Sequence, residues 1–88
     1  MALSVLVVED EADLVKLISF NLEQRGYQVF SAGDGIAGLE LARRHKPNLV
    51  ILDLLLPKMS GHKVASIMQS DVALRSIPII MLTALSAE

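Results

Sequence analysis

The 88-residue chain has no cysteine and no tryptophan, and its large aromatic residues are limited to one tyrosine and two phenylalanines. Without cysteine it can form no disulfide and offer no thiolate to a metal, which fits a reducing compartment without proving one. With so few aromatic side chains, the core must be built from aliphatic residues and methionine. That composition suits strands covered by helices on both faces.

The chain also lacks a long apolar run and an excess of basic charge. Its start has no positively charged segment, and the run Val5-Leu6-Val7-Val8 stops at an acidic pair. We therefore expect no signal peptide or membrane span, no membrane partner and a cytoplasmic location. The net charge of -2 leaves no basic stripe for nucleic acid, so we expect no direct nucleic-acid partner. With 52% hydrophobic and 20% charged residues, the chain is predicted to form one globular domain.

Strand-like runs alternate with segments of helical period, which predicts an α/β fold with a parallel sheet. Gly26 is predicted to stop the first helix in the left-handed conformation, and Asp10 to cap its start. The predicted strands are 4–8, 27–31, 49–53 and 77–82. The predicted helices run from about Glu11 to Arg25, from Ile36 to about Arg44, and onward from Ser60 or Gly61.

Three carboxylates follow two of these strands. Glu9 and Asp10 come directly after the first strand, and Asp53 ends the third. If the two strands are parallel neighbours, the acids meet at one edge, where their repulsion calls for a cation. Hard oxygen ligands favour Mg²⁺. Taken singly, each acid has an ordinary alternative, as a helix start for Glu9-Asp10 and a turn for Asp53.

Further residues complete a pattern around these acids. Leu56-Pro57 and Ser60-Gly61 follow Asp53, and Thr83-Ala84 follows the fourth strand. With them the chain resembles a response-regulator receiver domain. Glu9, where many receivers carry aspartate, is usual in the branch attached to winged-helix transcription factors. The resemblance implies a flavodoxin-like, doubly wound parallel sheet of order 2-1-3-4-5, with its site between the first and third strands.

The resemblance also implies roles for individual residues. Asp53 would be the phosphoacceptor, receiving a phosphoryl group from a histidine kinase or a small acyl phosphate. Asp10 and Asp53 would bind Mg²⁺ directly, Glu9 directly or through water, and Leu55 through its backbone carbonyl. Thr83 would be the hydroxyl that turns toward the phosphoryl group and signals to an output domain or effector protein. Such a protein is a signalling switch rather than a conventional enzyme.

By this resemblance residues 1–88 form one receiver domain that is incomplete at its C-terminus. The fifth strand, its flanking helices and the family's phosphate-binding lysine would be missing, and nothing supports Lys58 as a substitute. A bare fourth strand and an uncovered first helix would be liabilities in water. We therefore expect a homodimer or a swapped oligomer.

Three other functions compete with this interpretation. Gly33-Asp34-Gly35-Ile36-Ala37-Gly38 matches the dinucleotide-binding pattern G-x-G-x-x-G, although it puts a carboxylate where pyrophosphate would lie and leaves Glu9-Asp10 unexplained. A histidine phosphotransfer module would need a helical bundle around His45 or His62. A pseudo-receiver would bind partners without phosphorylation, and its binding should ignore Asp53→Asn.

Overall fold

The computed structural model describes residues 2–82, which form a four-stranded parallel sheet of order β2-β1-β3-β4 with three helices. The α/β prediction and the order of the first four strands are confirmed. The elements in chain order are β1 Ser4–Val8, α1 Ala12–Gln24, β2 Gln28–Ala32, α2 Gly35–His45, β3 Leu49–Asp53, α3 Gly61–Ser70 and β4 Ile79–Leu82.

The ends of three elements can be compared with the sequence predictions. The fourth strand begins at Ile79 rather than at the predicted Ile77, because Pro78 has no N–H to give to a ladder. Gly26 has a φ of 90° and ends the first helix as predicted. The predicted cap at Asp10 is wrong, since the N-cap residue of α1 is Glu11, which makes no side-chain capping bond.

The core lies on the face of the sheet that α2 and α3 cover. Alternate residues of the two central strands point to this side, and Leu52 and Val50 are both fully buried there. The helices contribute aliphatic and methionine side chains to this core, as expected for a chain with few aromatic residues. The buried members of this cluster are Leu6, Val8, Ala32, Leu39, Ala42, Val50, Leu52, Val64, Met68 and Leu74.

The opposite face is covered less completely. α1 contacts β1 and β2, and none of its residues is fully buried. Leu17 and Phe20 are 60% and 61% exposed. On the same side, Ile80 of the last described strand is 51% exposed. The helix therefore shields only part of its face of the sheet.

The register places the ends of the central strands together. Val8 pairs with Leu52 across β1 and β3, so the residues that follow Val8 and Leu52 emerge at the same carboxyl edge. Asp53 itself pairs with Leu82 of β4. Among residues 2–82, no helix is long and apolar enough to cross a membrane.

Candidate metal and phosphoacceptor site

The three acids predicted from the sequence meet at this edge. Glu9, Asp10 and Asp53 each offer one carboxylate oxygen, and these oxygens lie within 4.8 Å of one another. Glu9 is 4% exposed, Asp53 is half-buried and Asp10 is exposed. The cluster thus runs from the interior to solvent, as a site that must admit a ligand from solution requires.

Glu9 is held by backbone groups on both sides. Its N–H donates to the Ala32 carbonyl at 3.0 Å, which extends the pairing of β1 with β2. Its Oε2 accepts the Glu11 N–H at 2.9 Å. This bond satisfies a donor at the start of α1, so Glu9 has part of the role that the sequence predicts for Asp10.

Burial raises the pKa of Glu9 above its ordinary value, and the neighbouring carboxylates of Asp53 and Asp10 raise it further. The Glu11 N–H acts in the opposite direction, because it stabilises the charged form. The cluster therefore favours a bound cation, either a proton on Glu9 or a metal ion among the three acids.

Asp53 is positioned by the loop that follows it, residues 54–60. The Leu55 N–H donates to Asp53 Oδ1 at 3.3 Å, which limits rotation of the carboxylate. The loop then returns, and the Gly61 N–H donates to the Leu54 carbonyl at 2.8 Å. A Cβ at Gly61 would overlap the Asp53 carbonyl oxygen and lie 2.8 Å from Leu54 Cα. Only glycine allows α3 to begin this close to Asp53.

The donor set fits Mg²⁺. An octahedral Mg²⁺ holds opposite oxygens about 4.2 Å apart, twice its usual metal–oxygen distance. The carboxylate oxygens of the three acids all lie within 4.8 Å of one another, which exceeds this span by at most roughly 0.6 Å, within the reach of small side-chain rotations. Hard oxygen donors and an open, solvent-facing side match an ion that keeps several waters.

A cavity of about 320 Å³ adjoins the acids on the β2 side. It lies between the start of α1 and the end of β2. Sequence reasoning did not find it, because its walls come from segments that are distant along the chain. Its lining residues are Glu9, Asp10, Ala12, Val15, Lys16, Ser31, Ala32 and Gly33.

Close packing explains two glycines of the G-x-G-x-x-G pattern, Gly35 and Gly38, whereas Gly33 has open space around it. Asp34 Oδ1 accepts the Ala37 N–H at 2.8 Å, so a carboxylate of the chain itself occupies the start of α2. A Cβ at Gly38 would lie 2.9 Å from Val8 Cγ1, which shows that this glycine lets α2 approach β1. The helix start is therefore not available to a pyrophosphate.

Thr83, predicted as the switch hydroxyl, lies outside the described residues. Leu55 does lie in the loop after Asp53 and is exposed, which is consistent with a backbone role.

Comparison with known proteins identifies the family. The model of the response regulator receiver domain matches residues 5–88 of the chain. The chain belongs to this receiver family. It is 43% identical to the DNA-binding dual master transcriptional regulator RpaA of Synechocystis, over 92% of this chain and 34% of that protein. The chain spans about a third of the length of the transcriptional regulators that it matches here.

Solved structures agree with the family assignment. The N-terminal domain of a response regulator receiver protein from Methanoculleus marisnigri matches with a TM-score of 0.89 and 34% identity, covering 97% of this chain and 69% of that one. The receiver domain of the sensor histidine kinase PA1611 from Pseudomonas aeruginosa matches with a TM-score of 0.92 and 28% identity, covering 100% and 72%. The latter holds a magnesium ion coordinated in its active site cleft. The family assignment removes the dinucleotide and histidine-phosphotransfer alternatives.

Proposed function

We propose that Asp53 accepts a phosphoryl group in a Mg²⁺-dependent reaction and that its phosphorylation switches an output. The observation that carries this proposal is the meeting of Glu9, Asp10 and Asp53, with oxygens within 4.8 Å, at one edge of the sheet. Gathering three carboxylates at one edge carries an electrostatic cost. They repel one another and raise the pKa of Glu9. A bound cation accounts for their arrangement.

Asp53 would act as the nucleophile. Transfer from a phosphohistidine forms a bond between an Asp53 carboxylate oxygen and phosphorus and breaks the phosphorus–nitrogen bond; the imidazole leaves with that electron pair and takes up a proton. Bound Mg²⁺ would supply charge neutralisation for the phosphoryl oxygens. Glu9, Asp10 and Asp53 would hold it with the Leu55 carbonyl. The Leu55 N–H would keep the Asp53 carboxylate oriented.

The test uses the 88-residue chain with Mg²⁺ and acetyl phosphate, with intact-protein mass spectrometry as the readout. We expect one added phosphoryl group, lost in Asp53→Asn and retained in Asp13→Asn. Asp13 is the matched control, because it is an exposed acid in the first turn of α1 outside the cluster. Modification of Asp53→Asn would contradict the proposed acceptor. A wild-type chain that binds Mg²⁺ but gains no phosphoryl group would favour partner binding without phosphorylation.

The partners we propose are a histidine kinase as donor and an output domain or effector as receiver of the signal. RpaA and PhoP are described as transcriptional regulators, which supports a transcriptional output. Thr83 is proposed as the switch hydroxyl on its place in the sequence, directly after Leu82, the partner of Asp53 in the sheet. A cytoplasmic location stays a prediction.

We also propose that the 88-residue chain associates with a second copy. Ile80, Leu17 and Phe20 are each more than half exposed on the side of the sheet that α1 covers incompletely. β4 is one of the two outer strands of the sheet within residues 2–82. We call these three side chains the apolar strip. A copy that covers this strip would remove apolar surface from water.

Light scattering tests the association. Ile80→Lys should shift the chain toward the mass of one copy. Val72→Lys should leave the mass unchanged, because Val72 is 76% exposed in the segment between α3 and β4, away from this strip. A wild-type chain that scatters as a single copy at all concentrations would contradict the proposal.

A further inference from the structure

The loop 54–60 rests against the start of α2. The Gly35 N–H donates to the Pro57 carbonyl at 3.5 Å. A Cβ at Gly35 would lie 2.6 Å from the Met59 carbonyl oxygen and 2.8 Å from Met59 Cβ. The backbone of the loop thus contacts the backbone of the helix with no space for a side chain between them. Backbone atoms cannot move aside as the end of a flexible side chain can.

Asp34 strengthens this contact with both of its carboxylate oxygens. Oδ1 accepts the Ala37 N–H and caps α2. Oδ2 lies 3.8 Å from Lys58 Nζ, at the tip of the loop. Lys58 has a φ of 68°, a left-handed conformation that is unfavourable for a residue with a side chain. The surroundings of the loop must therefore maintain that conformation.

We propose that Asp34 and Gly35 are positioning residues for the metal site: they form a seat that holds loop 54–60, and with it the Leu55 backbone, against Asp53. The inference rests on the proposed Mg²⁺ site. The loop is joined at its beginning to Asp53 and at its end to Gly61, which itself contacts the Asp53 backbone. A displacement at Met59 or Pro57 is thus transmitted to the residues that would hold the metal.

The chain offers a close control for Gly35. A Cβ at Gly33 would meet nothing within 4 Å, so Gly33→Ala adds the same methyl two residues away without a collision. We expect Gly35→Ala to raise the Mg²⁺ dissociation constant about tenfold, which corresponds to about 1.4 kcal/mol. Gly33→Ala should leave it unchanged. The measurement is a Mg²⁺ titration followed by amide NMR.

Two milder substitutions keep the proposal testable if Gly35→Ala does not fold. Asp34→Asn retains a capping oxygen, since asparagine caps helices as well as aspartate does, but loses the charge that faces Lys58. Lys58→Met loses the other partner. Each should raise the Mg²⁺ dissociation constant about twofold, as suits an exposed ion pair. The double variant should bind Mg²⁺ no more weakly than either single variant, because the two substitutions remove the same contact.

A second measurement needs no metal. In the metal-free protein, amide exchange at Leu55, Met59 and Gly61 should be faster in Gly35→Ala and Asp34→Asn than in the wild type. Exchange at Val50 should be unchanged, because its N–H donates to the Pro78 carbonyl between β3 and the start of β4, outside the loop.

Equal Mg²⁺ affinity in folded Gly35→Ala and Gly33→Ala, or unchanged loop exchange in both Gly35→Ala and Asp34→Asn, would overturn the seat. Absence of Mg²⁺ binding in the wild type would instead overturn the proposed function, while faster loop exchange in the variants would still support the seat.

Discussion

Leu52 and Asp53 are neighbours in β3, yet they lie in regions with opposite effects on stability. Leu52 is fully buried in the aliphatic core beneath α2 and α3. Asp53 stands at the carboxyl edge beside two other acids. The core gains stability from every apolar contact, whereas the edge keeps like charges together and raises the pKa of Glu9. One strand thus contributes to the core along its length and carries the candidate site at its end.

The largest effect is expected in the core. Leu52→Ala removes a fully buried side chain and should lower the free energy of unfolding by about 2–5 kcal/mol. Leu17→Ala, at a residue that is 60% exposed on α1, should change it by less than about 0.5 kcal/mol at concentrations where the chain is a single copy. Chemical denaturation followed by circular dichroism measures both. Similar losses in the two variants would mean that α1 contributes to stability as much as the core face does.

Gly61→Ala tests where the core meets the edge. The added Cβ would overlap the Asp53 carbonyl oxygen, so α3 or β3 must shift. We expect a loss of about 1–3 kcal/mol in the free energy of unfolding, together with weaker Mg²⁺ binding. Gly33→Ala again supplies the control. If Gly61→Ala lost stability but kept its Mg²⁺ affinity, the position of Asp53 would not depend on this contact.

Unlike the preceding variants, Glu9→Gln should raise the free energy of unfolding of the metal-free protein. Because the pKa of Glu9 is raised in the folded state, the folded chain retains a proton that the unfolded chain has lost as pH rises above the ordinary glutamate pKa of about 4.5. The wild type thus loses stability across that window, and the loss is complete above the folded pKa. Glutamine has no charge, so the stability difference between variant and wild type should grow with pH and then level off.

Denaturation of both proteins without Mg²⁺ over a series of pH values provides the measurement. Comparing the variant with the wild type cancels the titration of shared groups that do not interact with Glu9; the remaining difference reports on Glu9 together with Asp53 and Asp10. A difference that did not depend on pH would show that the acids impose no electrostatic strain at this edge.

The smallest effect concerns two lysines in left-handed conformations. Lys46, with a φ of 44°, ends α2 before the amino end of β3, and Lys58 lies in the loop at the carboxyl edge. Lys46→Gly should stabilise the protein by about 0.5–1 kcal/mol and leave Mg²⁺ binding unchanged. Lys58→Gly relieves similar strain but loses the contact with Asp34, so its gain should be smaller and its Mg²⁺ binding weaker. Thermal unfolding and Mg²⁺ titration distinguish the two. Identical behaviour would contradict a special role for Lys58.

Much of the fold follows from local patterns. The bounds of β1 and β3 were predicted correctly, because each is an apolar run ended by an acid. The start of β4 was not, since Ile77-Pro78 continues the apolar run but proline cannot join the ladder. The cap at Asp10 was wrong for a different reason. Several acids near a helix start can satisfy its N–H groups, and only the folded backbone decides that Glu9 does so.

The sequence by itself determined which residues are apolar, where the strands alternate with helices, and that three acids follow two strands. These properties depend on side-chain chemistry and spacing, which neighbours along the chain express. Tertiary structure decided that the acids share one edge, that Glu9 is buried, and that the start of α2 contacts the loop after Asp53. Those outcomes depend on strand order and on close approach between distant segments, such as Gly35 and Met59, which no local pattern encodes.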